Sequence, residues 1–220
     1  MSQEPPVKGD GGSRYGDPTP PVESDGGSRF GRSWRDSFND NEPPEWGDGG
    51  SRGGPFCALT PFDETTDVVV WSTRPTIIWQ GGLARVELYP HNRDELLWSE
   101  NLNPGEQQVQ YTGEPLQPGQ SYDIMFYESV DDAFPFPSVQ ITFKVMAVEP
   151  RQQVTQELEE LTTQLQSEGA SEEIIALARF NYFAEKQLWS DALTEAFSVE
   201  NPSPELQQLR EETIPQKFCN

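Results

Sequence analysis

The chain alternates in hydrophobicity with a period of two across much of its middle. Tyr122, Ile124 and Phe126 stand against Asp123, Met125 and Tyr127, and Val139, Ile141, Phe143 and Val145 stand against Gln140, Thr142 and Lys144. Ala84, Val86 and Leu88 repeat the pattern against Arg85, Glu87 and Tyr89. Each run is what a half-buried strand requires. With 67–71, 76–80, 95–98 and 107–111 they predict about seven strands, separated by turn residues such as Gly81-Gly82 and Pro118-Gly119. Regular spacing of short strands predicts a small antiparallel sandwich of immunoglobulin-like type over 55–147. Trp79, Leu88, Ile124, Phe126, Ile141 and Phe143 are its predicted core.

From 148 the period lengthens to three and four. Val154, Leu158, Leu161 and Leu165 stripe one helix, which Gly169 ends. Ser171 opens a second, with Glu172 and Glu173 in its first turn. A third runs over about 190–199, and 204–212 makes a last short one. The predicted fold is therefore mainly β plus α: a sandwich followed by a C-terminal helical hairpin over 148–220.

Residues 1–54 are rich in Gly, Pro, Ser and Asp and poor in aliphatic side chains, so they bury too little to offset ordering entropy. A disordered arm is expected there. It carries Asp-Gly-Gly-Ser-Arg at 10–14, 25–29 and 48–52. Each copy brings a turn, a cation and a nearby ring, so Arg14 with Tyr15, Arg29 with Phe30 and Arg52 with Phe56 are candidate partner contacts. A flexible linker is the plainer reading of the same stretch.

Charge narrows the partners. The formal net charge of −22, from 37 acids and 15 bases, repels nucleic acid and anionic lipid. No apolar run approaches the ~20 residues that span a bilayer, and the first residues lack the apolar segment of a secretory signal. A protein partner or self-association is expected, with no membrane insertion. Carbohydrate is an alternative partner, for which Tyr89, Trp98 or Tyr127 would supply the rings. The two cysteines, Cys57 and Cys219, fit no metal or redox spacing. In an oxidising compartment they can close a disulfide worth about 5 kcal/mol in loop entropy; otherwise they are two free thiols.

No motif calls for a cofactor, a metal or a catalytic residue. The single histidine, His91, lies in a polar turn beside Asn92 and Arg93 and reads as a solvated loop residue. A non-enzymatic protein follows, with the sandwich and tail as a rigid body and the arm recruiting a partner. A carbohydrate-binding sandwich, and a structural subunit that self-assembles through its arm, are the alternatives.

Several short motifs recur together: Gly-Gly-Ser-Arg-Gly-Gly at 49–54, Cys57-Ala-Leu-Thr-Pro61, Arg74-Pro-Thr with Trp79, Leu97-Trp98, Leu-Gln-Pro-Gly-Gln-Ser-Tyr at 116–122 and Leu-Trp-Ser-Asp-Ala-Leu at 188–193. In this order the chain resembles cyanobacterial exported proteins of unknown function that carry an immunoglobulin-like domain and a short helical, tetratricopeptide-like tail. The resemblance implies the cell envelope, periplasmic or extracellular, if Met1 marks a processed form, and the cytoplasm otherwise. It brings no activity and no binding residues.

Overall fold

The unbroken apolar run Ile77-Ile78-Trp79 cannot belong to a strand with one wet face, and the fold covers both of its faces. The computed structural model of the chain describes residues 32–41, 56–61, 68–128 and 137–219, all within one compact unit, Arg32–Asn220. Strands β1 (Phe56–Thr60), β3 (Thr76–Gly81) and β6 (Gln108–Gln110) form one sheet in the order β1-β3-β6. Strands β2 (Val68–Val70), β4 (Arg85–Pro90), β5 (Trp98–Asn101), β7 (Ser121–Tyr127) and β8 (Val139–Val145) form a second, ordered β2-β8-β7-β4-β5. All pairings are antiparallel except β2 with β8.

Both sheets feed one core. Phe56, Ile77 and Trp79 of the smaller sheet meet Val86, Leu88, Ile124, Phe126, Ile141 and Phe143 of the larger. The six predicted core residues are all there. Ile78 and Leu59 leave the opposite face of the small sheet and enter a second core made with the helices. That sheet is thus an inner layer, which accounts for the apolar run.

Besides the parallel β2–β8 pair, which the predicted antiparallel sandwich did not include, the strands depart from expectation at two places. Phe56–Thr60 is a strand where none was predicted, because a layer covered on both sides shows no alternation. The hairpin return expected at 95–98 begins only at Trp98, with Leu96 and Leu97 49% and 40% exposed before it.

The arm expected over 1–54 is interrupted by helix α1 (Trp34–Asp40). Ser33 caps it, its hydroxyl accepting from the Asp36 N–H at 3.1 Å. A seven-residue helix is not stable alone. Burial of Trp34 and Phe38, one turn apart on one face, holds it.

The tail comprises α2 (Val148–Ser167), α3 (Glu172–Glu185), α4 (Trp189–Ser198), α5 (Pro204–Gln208), a π turn (Leu209–Thr213) and α6 (Ile214–Phe218). Gly169, at φ +78°, ends α2 while the Ala170 N–H donates back to the Leu165 carbonyl. Only Val154 and Leu158 of the predicted α2 stripe are fully covered. The last helix does not stop at 212. The Ile214 N–H reaches back to Leu209 O, and Pro215 falls in the first turn of α6, where its missing N–H costs nothing. Phe180, Phe183 and Ala184 form the fully buried face of α3.

Candidate functional site

The helical layer is fastened to the sheets at named joints. The Asp191 carboxylate, in the first turn of α4, accepts from the backbone N–H groups of Trp71 at 2.7 Å and Ser72 at 3.2 Å. Arg151 of α2 donates to the Trp71 carbonyl at 3.1 Å, and the Trp71 indole donates to Thr155 at 3.2 Å. Cys57 of β1 is bonded to Cys219 after α6, with Cα atoms 5.9 Å apart. Glu173 ties the helices together, accepting from the Trp34 indole at 2.9 Å, the Ser203 hydroxyl at 2.6 Å and the Ser203 N–H at 2.9 Å.

Where the layers part, at the β6 end of the small sheet, they leave a cleft of about 860 Å³. Gln80, Gln107 and Gln108 line its sheet side. Phe197, Glu200, Asn201, Pro202, Gln207, Arg210 and Glu211 line its helical side. Its size is that of a ligand site. Strand β6 pairs with β3 alone among the described residues, so it is the edge of its sheet. Arg210 is engaged: its Nε donates to Ala196 O at 2.6 Å and an Nη to Val199 O at 2.9 Å, capping the C-terminal end of α4. Its half-burial lowers its pKa by desolvation. Five amides, Gln80, Gln107, Gln108, Asn201 and Gln207, supply most of the remaining polar lining and both donate and accept hydrogen bonds, with the Glu200 and Glu211 carboxylates beside them.

A second polar group lies on the outer face of the larger sheet. Arg85 pairs with the mostly buried Glu87 at 3.1 Å, and the Tyr89 hydroxyl donates to Glu87 at 2.8 Å. Burial, with the Glu87 carboxylate next in importance, pushes the Tyr89 pKa up to about 12. Arg85 also stacks over the Tyr127 ring at 4.4 Å. The rings proposed for sugar are therefore engaged: Tyr89 by Glu87, Tyr127 by Arg85, and Trp98 edge-on to Tyr111 with its indole N–H on Thr112.

His91 lies in an exposed turn as expected, but its ring is held. Its Nδ1 lies 3.0 Å from Oδ1 of the buried Asp123, which also accepts from the Thr142 hydroxyl at 2.6 Å. The carboxylate sits between hydroxyl and imidazole. A nucleophile needs the imidazole in the middle, so this order orients His91 without activating Thr142.

Of the predicted contacts, Arg14, Tyr15, Arg29, Phe30 and Arg52 lie outside the described residues. Phe56 does not serve as a surface contact: it is buried, its ring 5.2 Å from that of Phe126, because β1 carries it into the inter-sheet core. Cys57 and Cys219 are brought together. The cleft glutamines went unnoticed. Their one signal was the polar run Gln107-Gln108-Val109-Gln110, which reads equally well as an exposed strand. No protein family, curated protein or solved structure matches the chain.

Proposed function

We propose that this is a non-enzymatic binding or scaffolding protein of the cell envelope. The observation that carries the reading is the amide-lined cleft at a sheet edge that no described strand pairs, set in a body whose layers are cross-linked by a disulfide and by Asp191. A fastened frame holds such a groove open at little entropic cost on binding. The two sheets around one core favour an immunoglobulin-like sandwich, and α3 against α4 a helical hairpin, as the finer description of that frame. The Asp-Gly-Gly-Ser-Arg arm supplies a second point of recruitment in this reading.

Amides alternating donors and acceptors also suit sugar hydroxyls, which keeps carbohydrate as the second reading. Screening the full chain on peptide and glycan arrays, beside Gln80→Leu/Gln108→Leu, tests the cleft. Retention of ligands of one class, lost in the double variant, is the expected result; binding equal in both proteins, or none in either, overturns the assignment. The arm is tested by Arg14→Ser/Arg29→Ser/Arg52→Ser, which should weaken association most at low salt, because exposed ion pairs are screened within about 10 Å.

A further inference from the structure

We propose that the edge of β6, unpaired among the described residues, takes up an extended basic peptide, which adds as a further strand and sends alternate side chains into the cleft. The inference rests on the binding reading above and names its ligand. In an antiparallel pair, successive residues turn their backbone groups toward and away from the neighbour. Gln107 O accepts from the Trp79 N–H and the Tyr111 N–H donates to Pro75 O, each at 3.0 Å. Residues 107, 109 and 111 therefore spend their groups on β3, and Gln108 and Gln110 turn theirs outward. Both residues are exposed, and β6 carries none of the lysines, prolines or bulges that blunt an edge against pairing.

Register then fixes where the guest side chains go. Gln108 lies opposite Ile78, which faces the helices, so side chains of an added strand on that same side enter the cleft. There they meet Glu200 and Glu211, both exposed, beside the half-buried ring of Phe197. Arg210 is already bonded to two helix-end carbonyls and pairs with neither acid among the described residues. Glu211 accepts from the neutral Gln207 amide at 3.0 Å, so its charge still awaits a cation. The surrounding body, with 27 acids and 9 bases over 56–220, steers cationic segments toward it.

The test is fluorescence anisotropy of the full chain with a labelled Thr-Val-Arg-Val-Arg-Val-Thr peptide, its Glu-for-Arg counterpart, and two versions N-methylated at alternate amides. The Arg peptide should bind about tenfold or more tighter than the Glu peptide, a gap that Glu200→Gln/Glu211→Gln narrows. One methylated version should lose binding and the other keep it, because only one set of amides faces β6. Gln110→Pro removes an outward N–H, spares the β3 bonds and should weaken binding; the methylated peptides decide the matter should that variant misfold. Binding that survives both methylation patterns, or absence of binding, overturns strand addition. Binding of chitotetraose instead, lost in Gln80→Leu/Gln108→Leu, overturns it too while leaving the wider binding reading standing.

Discussion

Asp191 brings a carboxyl group into the seam between helices and sheets, and burial pushes its pKa up to about 7, against two backbone N–H bonds that pull the other way. The folded pKa lies above the ordinary value of about 4, so the folded state holds the extra proton between about pH 4 and pH 7. Its contribution to stability is complete below that window and lost as pH rises through it. The melting temperature of the wild type should fall more between about pH 5 and pH 8 than that of Asp191→Asn. Parallel profiles would remove Asp191 as the source. Nothing local in the sequence announces this role, since an aspartate in the first turn of a helix is usually a solvated partner of the helix dipole. The pairing of His91 with Asp123 was hidden for the same reason: 32 residues separate them, and only the strand register closes the gap.

Strands and helices with one wet face were readable from their period. Strand β1, covered on both sides, and helix α1, docked by its rings, were not. Strand β7 kept its alternation because its outward positions, though covered, carry the polar or amphipathic Asp123, Met125 and Tyr127, while Ile124 and Phe126 are fully buried as predicted. Phe126→Ala should cost roughly 3–5 kcal/mol in denaturant unfolding, and a loss under about 1 kcal/mol would contradict its place in the core. The seven residues of α1 carry too few apolar side chains to signal a helix, yet Trp34 meets the Phe180 ring of α3 edge-on at 5.6 Å and Phe38 stacks on it at 6.4 Å. A chain beginning at Pro55 should therefore melt well below one beginning at Arg32, and equal melting would show α1 to be dispensable. Glu173 joins α1, α3 and α5 through three hydrogen bonds. Glu173→Ala leaves the buried Trp34 indole N–H without its partner and should cost about 1–3 kcal/mol by the same measurement.

Across the whole molecule the Cys57–Cys219 link joins the first described strand to the end of the last helix, 162 residues on. Loop entropy puts its contribution near 5 kcal/mol, with removal of such links costing about 2–5 kcal/mol in practice. Cys57→Ser/Cys219→Ser should lower stability by that amount, and the wild type should lose the same on reduction; an unchanged midpoint in reducing agent would deny the bond any role. The sequence by itself determined the strands with one wet face, the inter-sheet core, the amphipathic tail and the acidic character, because each is written in local period or composition. The burial of Asp191, the docking of α1, the covering of β1 and β3 on both faces and the cleft beside β6 were decided only by tertiary structure. Each depends on which distant surface arrives opposite a residue, and a local pattern carries no record of that.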